Sequence, residues 1–284
     1  MPSMARSVKP HIYLCTVLIT MFWSAAGYAY GAKAHRIVGY IADRYLCVET
    51  RQAIAPFMGK YSLAETGLWA DRIRSNRQWD YARPWHYINV PDDIAIADRQ
   101  IATDGDVLVA IERFRAELAD PELGFEQHQI AFRFLVHLVA DIHQPLHVGR
   151  RADLGGNKIK VTVAGQKTNL HAYWDSFALE QNRTGPYVYA ARLANRDFRS
   201  VAQWGASGPL QWAEESKLFR SEVYAFESDP ITGYGVLAPA YQAAAIEIID
   251  LRLSQAGVRL AAILNGVYCS TEEADDPETD GLSH

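Results

Sequence analysis

The segment from Gln127 to Ile142 is apolar almost throughout, yet ionisable side chains interrupt it at a regular spacing. Arg133, His137 and Asp141 stand four residues apart, so a helix places all three on one face. The other faces are apolar, which predicts a helix buried in the centre of the fold. Burying a carboxylate and an imidazole is costly unless the two groups are paired or bind a metal. This segment therefore predicts a helical core built around a polar site.

Helical periodicity dominates the rest of the chain. It predicts helices at 37–45, from an N-terminal cap at Asp104 to Leu118, over about 209–225, and from Pro239 to a C-terminal cap at Gly257. The alternation of residues 158–163, followed by Ala164-Gly165, predicts one β-hairpin. The composition, 49% apolar and 21% charged, is that of a globular protein, and no linker or repeat divides the chain. We therefore expect a mainly α, single-domain, multi-helix fold with a small β-hairpin.

Residues 1–29 have the pattern of a secretory signal peptide. Arg6 and Lys9 precede a mostly apolar run from Ile12 to Ala26, and a small-x-small sequence ends at Ala29. The run is short for a transmembrane helix, which needs about 20 residues. We expect cleavage after Ala29, a secreted or periplasmic protein, and no stable membrane contact after cleavage. An uncleaved membrane anchor is the alternative.

Much of the negative charge lies at the C-terminal end. The formal net charge of −5 does not favour non-specific nucleic-acid binding, so an anionic partner has to be held by a local site. Six acidic residues lie between positions 272 and 280. We expect residues 271–284 to form an acidic, disordered tail and residues 30–270 to form the folded domain.

Two cysteines, Cys47 and Cys269, follow the predicted cleavage site. In an oxidising compartment they could form a disulfide. Two unrelated buried thiols are the alternative, and the sequence leaves that choice open.

Further histidines and aspartates occur in apolar surroundings. Pro145 should end the central helix and turn His147 back toward it. The full set of candidates is His35, Asp71, His86, His137, Asp141, His147, His171 and Asp175. Two pairs in this set, His137 with Asp141 and His171 with Asp175, are four residues apart, and each alone could be an ion pair on a helix face. Five His and three Asp together are too many for one tetrahedral zinc, and mixed imidazole and carboxylate ligands favour more than one zinc or similar divalent ion.

At these residues the sequence resembles the S1/P1 nuclease family of secreted, zinc-dependent, single-strand-specific nucleases and 3′-nucleotidases, which share a fold with zinc-dependent phospholipase C. The matching segments keep the family order over nearly the whole chain after residue 29. They are residues 31–35, 69–71, 86–89, 137–147, 155–157, 169–175 and 256–260. The resemblance implies a phospholipase C/P1 nuclease-like fold.

The resemblance also implies a site with three zinc ions per chain. Its ligands would be Asp71, His86 and His137 for the first zinc; His147, His171 and Asp175 for the second; His35 with the α-amine and carbonyl of Tyr30 for the third; and Asp141 bridging the first and third. Tyr30 stands where the family usually has Trp. Because the ligands at that residue are backbone groups, the third zinc should tolerate the change.

The activity that the resemblance implies is hydrolysis of single-stranded DNA or RNA to 5′-phosphate products, together with 3′-nucleotidase activity, by a monomer. Asp71 and Asp141 would be the catalytic carboxylates, with Asp71 orienting the attacking water. Tyr87 would stack on a base and Arg74 would contact phosphate. Core packing for Tyr87 and a solvated helix charge for Arg74 are the alternatives.

Three asparagine and histidine side chains, Asn89, Asn169 and His143, are interpreted as orienting the ligands, and Asn89 also as contacting substrate. Two other functions use the same ligands. One is a zinc-dependent phospholipase C-type phosphodiesterase, and the other is a non-catalytic zinc-binding protein. A choline pocket would favour the first of these, and the 86–89 segment argues mildly against it.

Overall fold

The computed structural model describes residues 30–195 and 200–269. The predicted signal peptide and acidic tail lie outside the described residues. Within them, helices make up most of the chain and the strands are short, which confirms the mainly α fold class. No helix in this described part is both long enough and apolar enough to cross a bilayer.

The α-helices range in length from 3 to 30 residues. They are α1 (Ala32–Tyr45), α2 (Val48–Met58), α3 (Leu63–Thr66), α4 (Trp69–Ile73), α5 (Val107–Ala119), α6 (Phe125–Asp141), α7 (Leu170–Ala172), α8 (Ala178–Glu180), α9 (Pro186–Ala194), α10 (Val201–Gly205), α11 (Pro209–Leu218), α12 (Arg220–Val223) and α13 (Pro239–Tyr268). Segments of 3-10 helix cover Arg77–His86, Ile96–Asp98 and Pro145–His147, and a π-helical turn covers Tyr173–Phe177. The predicted helix over 209–225 is divided into α11 and α12 at Phe219.

The predicted central helix is α6. Every residue from Ala131 to Asp141 is buried except Arg133, whose guanidinium lies 5.4 Å from the centre of the Trp69 ring. The prediction that Arg133 shares a buried face with His137 and Asp141 is therefore wrong. Each four-residue step rotates a side chain about 40° around the axis, so Arg133 lies about 80° away from Asp141 and leaves the core face.

Helix α13 packs along α1 and does not end where the sequence predicts. Gly257 lies inside α13, which continues to Tyr268. A Cβ atom at Gly257 would overlap the side chain of Ile41 on α1 and lie 3.2 Å from the carbonyl oxygen of Val38. The glycine therefore permits close packing of two helices and is not a cap.

The N-terminal cap of α5 is Asp106 and not Asp104. Asp106 Oδ1 accepts hydrogen bonds from the backbone N–H groups of Leu108 and Val109, at 3.0 and 3.1 Å. Gly105 has a φ of +89°, a left-handed conformation that glycine adopts readily, and this turn delays the helix start by two residues.

The predicted hairpin is present as β3 (Lys160–Val163) and β4 (Gln166–Asn169), joined by Ala164-Gly165. Two further short strands, β5 (Glu227–Ser228) and β6 (Gly235–Val236), extend it to a four-stranded sheet in the order β4-β3-β6-β5. Strand β6 pairs parallel to β3, and the other pairs are antiparallel.

A separate two-residue parallel pair joins β1 (Ile88–Asn89) to β2 (Val148–Gly149), with Ile88 opposite Val148. The buried Arg220 on α12 donates hydrogen bonds to the carbonyl oxygens of Val90 and Gly149, both at 2.9 Å. These bonds hold the segments that follow His86 and His147 side by side.

Cys47 and Cys269 form a disulfide. Cys47 is the N-cap of α2 and Cys269 the C-cap of α13, so the bridge ties the end of the last helix to the start of the second. Of the two alternatives that the sequence leaves open, the structure contains the disulfide.

Candidate metal centre

The eight predicted side-chain ligands meet around the C-terminal half of α6. Seven are buried, and Asp71 has 14% of its side chain exposed. They come from many elements: His35 from α1, Asp71 from α4, His86 and His147 from the last residues of 3-10 segments, His137 and Asp141 from α6, His171 from α7, and Asp175 from the π-helical turn. Only the pair on α6 shares an element, so the tertiary fold assembles the set.

The first cluster surrounds His137. Its Nε2 atom lies 3.0 Å from Asp141 Oδ2, 3.9 Å from Asp71 Oδ1 and 3.1 Å from His86 Nδ1. The His35 ring stacks on the His137 ring with centroids 4.0 Å apart. Ligand atoms of His35, Asp71 and His137 lie within 4.8 Å of one another, as do those of His86, His137 and Asp141. Five potential ligands thus converge on one buried volume.

The second cluster consists of His147, His171 and Asp175. Asp175 Oδ2 lies 3.0 Å from His171 Nε2, and Asp175 Oδ1 lies 3.5 Å from His147 Nε2. The two imidazoles are stacked, with ring centroids 5.2 Å apart. Asp141 Oδ1 lies 3.6 Å from both His35 Nε2 and His147 Nδ1, so this carboxylate faces both clusters.

Backbone carbonyl groups orient three of the imidazoles. The Nδ1 atoms of His137, His147 and His171 donate to the carbonyl oxygens of Gly67, His86 and Gly155, at 2.6, 2.9 and 2.7 Å respectively. Because a carbonyl oxygen can only accept, Nδ1 carries the proton. In the neutral tautomer each Nε2 then presents a lone pair to its carboxylate, which is the orientation of a metal-ligating histidine.

Several buried polar atoms in this region have no hydrogen-bond partner among the described residues. They are both ring nitrogens of His35, Asp141 Oδ1, His147 Nε2 and Asp175 Oδ2. Buried polar groups are usually paired, since an unpaired one costs about 1–3 kcal/mol. Unpaired nitrogen and oxygen atoms that face one another fit bound divalent cations with mixed imidazole and carboxylate ligands.

The electrostatics of the site favour ionised carboxylates. Burial raises the pKa of Asp175, but the imidazoles of His171 and His147 outweigh it and lower that pKa to about 2. Burial lowers the pKa of His137, but Asp141 and Asp71 outweigh it and raise the pKa to about 9, so a cation has to replace the Nε2 proton before this ring ligates at neutral pH. For His35, burial and then the neighbouring His137 hold the pKa well below 6.5, which keeps this ring neutral and able to ligate.

Gln144 is a site residue that the sequence reasoning missed. Its side chain is fully buried, and Nε2 donates to Asp175 Oδ1 at 2.6 Å. Its Oε1 accepts from the backbone N–H of Leu146 and so caps the 3-10 turn that carries His147. Its only sequence signal is its place between two histidines just before Pro145.

Asn169 and His143, which the sequence predicts to orient ligands, have different roles in the structure. Asn169 Oδ1 accepts from the N–H of Ala172 at 2.7 Å, capping the short α7 that carries His171. Among the described residues, the hydrogen bonds of the His143 ring involve no candidate ligand: its Nδ1 donates to Val139 O, and its Nε2 accepts from Arg259. His143 therefore links α6 to α13, and it does not orient a ligand as the sequence reasoning expected.

The clusters open onto a cavity of about 230 Å³. Its lining includes His86, His147 and His171 together with the predicted substrate residues Arg74, Tyr87 and Asn89. Arg74 Nη1 lies 3.4 Å from Asp71 Oδ1, and Tyr87 is 41% exposed, so it is not a core residue. Arg74 is likewise positioned at the cavity, and not as a fully solvated helix charge.

Tyr30 is the first described residue and is completely buried. The next residue, Gly31, donates its backbone N–H to the carbonyl oxygen of Asp175 at 2.7 Å. The start of the described chain is thus anchored against the residue that carries a ligand of the second cluster.

The S1/P1 Nuclease family model matches residues 30–269. This chain belongs to the S1/P1 nuclease family. Among S1/P1 nuclease relatives, the chain is 31% identical to Endonuclease 4 of Arabidopsis thaliana, over 85% of this chain and 90% of that protein. It is 28% identical to Nuclease P1 of Penicillium citrinum, over 85% of this chain and 98% of that protein. The resemblance predicted from the sequence is confirmed.

Proposed function

We propose that this chain is a zinc-dependent nuclease that hydrolyses single-stranded DNA or RNA to 5′-phosphate products and also acts as a 3′-nucleotidase. The observation that carries the proposal is the convergence of eight buried or nearly buried His and Asp side chains beneath a cavity lined by Arg74 and Tyr87. The relatives are named nucleases and endonucleases, which supports the same activity.

Three zinc ions fit the ligand set better than one. One would be held by Asp71, His86 and His137, a second by His147, His171 and Asp175, and a third by His35 with the amine and carbonyl of Tyr30, with Asp141 shared between the first and third. Bound zinc would lower the pKa of a coordinated water molecule and would stabilise negative charge on a phosphate ester. The rest of the site binds and orients the substrate.

Asp71 and Asp141 are the proposed catalytic carboxylates. Asp71 is the most exposed of the side-chain ligands, so one of its carboxylate oxygens can accept a hydrogen bond from the attacking water. Arg74, held 3.4 Å from Asp71, brings a guanidinium to the same point and suits a phosphate oxygen. Asp141, fully buried between the clusters, holds their ligands in one arrangement.

Tyr87 explains a preference for single strands. Its ring is exposed at the cavity directly after the ligand His86, and stacking a base on such a ring is worth about 1–3 kcal/mol. Stacking needs a base that has left the duplex, and it tolerates every base. Asn89, two residues further on, lines the same cavity and can hydrogen-bond the substrate.

Export and activation are coupled in this proposal. Cleavage after Ala29 would create the amine of Tyr30 beside Asp175, where Gly31 is already hydrogen-bonded. The Cys47–Cys269 disulfide supports a secreted or periplasmic location, because disulfides persist in oxidising compartments. The proposed domain spans residues 30–270, and the proposed enzyme acts as a monomer.

The test is to purify the exported protein, determine its N-terminal residue, measure zinc per chain, and offer single-stranded DNA, RNA, duplex DNA, a 3′-nucleotide and phosphatidylcholine. We expect Tyr30 at the N-terminus, about three zinc ions and hydrolysis of the single strands and the 3′-nucleotide. Bound zinc with no nucleotide hydrolysis would refute the nuclease. Hydrolysis of phosphatidylcholine alone would favour a phospholipase C-type enzyme.

The Asp141→Asn variant tests the shared carboxylate. It should lose zinc and nearly all hydrolysis, because an amide is a weak ligand for the two cations that the Asp141 carboxylate would share. Asp250→Asn is the matched control: Asp250 is also buried, but it accepts hydrogen bonds from Tyr189 and Arg192 on α9. Substantial activity in Asp141→Asn would contradict the shared role.

A further inference from the structure

A second cavity of about 500 Å³ adjoins the first one and shares three residues with it, Tyr87, Asn89 and Leu154. Beyond them it is lined by Pro84, Ile88, residues of the 100–106 loop and Arg151. None of the eight predicted ligands lines it. The chemistry proposed above does not use this space, although its volume is sufficient for a ligand the size of a nucleotide.

The walls of this second cavity combine apolar surface with polar groups that are free to bind. Ile101 and Leu154 are both 52% exposed, although large aliphatic side chains are usually buried. Within the described residues, the guanidinium of Arg151, the amide of Gln100 and the hydroxyl of Thr103 make no side-chain hydrogen bond. An exposed aliphatic face beside a free cation suits the apolar face of a base and a phosphate group.

Asp106, the one carboxylate that lines the second cavity, does not repel a bound anion. Asp106 is buried, and its two oxygens accept hydrogen bonds from Arg99 Nε and Nη2 at 2.6 and 3.0 Å. Its charge is therefore neutralised within the protein, and Arg151 contributes the remaining charged side chain of the lining.

The cavity floor is held rigid from below. Trp85 Nε1 donates to the carbonyl oxygen of Asp104 at 2.6 Å, and the Trp85 ring packs edge-on against Phe114 and Phe134. These contacts tie the 100–106 loop to the aromatic core beneath α5 and α6. A preformed cavity binds without a large cost for ordering the loop.

We propose that this second cavity is a subsite for the nucleotide that neighbours the one stacked on Tyr87 in a single-stranded substrate, with Ile101 contacting its base and Arg151 its phosphate. The inference rests on the proposed nuclease function. The continuity of the two cavities through Tyr87 and Asn89 carries it, because consecutive nucleotides of one strand must occupy adjacent space. Occupation of this subsite would make the enzyme prefer polymers over mononucleotides.

The test compares the Ile101→Ala, Arg151→Ala and doubly substituted proteins with the unaltered enzyme on a 3′-mononucleotide and on a single-stranded tetranucleotide. We expect the double variant to raise KM for the tetranucleotide roughly 10-fold more than KM for the mononucleotide, with similar kcat, since one apolar contact with a base and one phosphate contact are lost. Arg151→Ala should also lower the salt dependence of the tetranucleotide KM by about 0.7 in log–log slope, the value for one phosphate contact on a single strand.

The matched control is Arg183→Ala, which removes one positive charge from an exposed position between α8 and α9. It should leave the ratio of the two KM values and the salt slope unchanged. Equal effects of the cavity variants on both substrates, or no effect on either, would overturn the subsite. Failure of the unaltered enzyme to hydrolyse either substrate would instead overturn the proposed function.

Discussion

His147 Nδ1 donates a hydrogen bond to the backbone carbonyl oxygen of His86, 2.9 Å away. Each residue belongs to a different ligand cluster, and each ends a 3-10 segment that leads into one strand of the β1–β2 pair. The side chain of one candidate ligand is therefore oriented by the backbone of another. The spacing of the two clusters is set by strand pairing and backbone hydrogen bonds, which move less than long side chains.

Gln144→Met should weaken metal binding without preventing folding. Methionine keeps the volume of the buried side chain but removes the hydrogen bond to Asp175, and loss of such a bond to a ligand lowers metal affinity about 10- to 100-fold. Competition with a chromophoric chelator measures the change. Gln129→Met is the control, because Gln129 Nε2 donates only to Phe57 O, away from the clusters. Unchanged affinity in Gln144→Met would mean that Asp175 needs no such support.

Removal of metal should lower the stability of the folded protein. The unpaired atoms of His35, Asp141 and Asp175 would then lie buried without partners. A ligand at 1,000 times its Kd stabilises the folded state by about 4 kcal/mol, so excess chelator should lower the Tm by several degrees. Zinc should restore the Tm, and magnesium should not, because magnesium prefers oxygen ligands. A Tm that is insensitive to chelator would show that folding does not depend on a filled site.

Glu215→Gln should destabilise the protein by about 3 kcal/mol at pH 7, because it leaves the buried guanidinium groups of Arg252 and Arg259 without their counter-charge. Burial raises the pKa of Glu215, but the two arginines outweigh it and the net pKa lies below the ordinary value of 4.5. The stabilisation from this carboxylate is therefore complete above about pH 4.5 and is lost as the pH falls through the lowered pKa.

Urea unfolding between pH 7 and pH 3 measures this dependence. The difference in unfolding free energy between the unaltered protein and Glu215→Gln should shrink as the pH falls below 4.5. Glu122→Gln, in the exposed loop before α6, should show no such convergence. A constant difference across that pH range would rule out the carboxylate charge as its source.

Gly257→Ala should destabilise the protein although alanine favours helices over glycine. The added methyl group would overlap Ile41 across the α1–α13 contact, and overpacking of this kind costs about 1–3 kcal/mol. Gly266→Ala, in the same helix with nothing within 4 Å of the added atom, should instead stabilise by up to about 1 kcal/mol. Thermal unfolding of the two variants should shift Tm in opposite directions, and a shift in the same direction would contradict the packing argument.

Strong local patterns in the sequence predict the fold class and the larger elements. The apolar run around His137 predicts α6, and the alternation at 158–163 predicts the β3–β4 hairpin. The errors occur where tertiary packing decides: Gly257 resembles a helix end, but the contact with Ile41 makes it a packing residue. Asp104 resembles a cap, but the left-handed Gly105 moves the helix start to Asp106.

The candidate ligands could be found from the sequence because His and Asp are conspicuous in apolar surroundings. The groups that orient these ligands through hydrogen bonds could not be found in the same way. The carbonyl groups of Gly67 and Gly155 carry no side-chain signal, and Gln144 is an ordinary residue in sequence. Strands of two residues such as β1 have too few positions to show alternation, so the pairing of Ile88 with Val148 is visible only in three dimensions.

The Cys47–Cys269 bridge spans 222 positions, and α1 packs against α13, whose C-cap is Cys269. A ribosome or a translocation channel that still holds the C-terminal helix therefore prevents completion of the core. The first helix has to wait for the last one, so the α1–α13 contacts and the disulfide form only after Cys269 has been released. In the export that we propose, such a chain would cross the membrane channel open, and it would close, be oxidised and bind its ions on the far side.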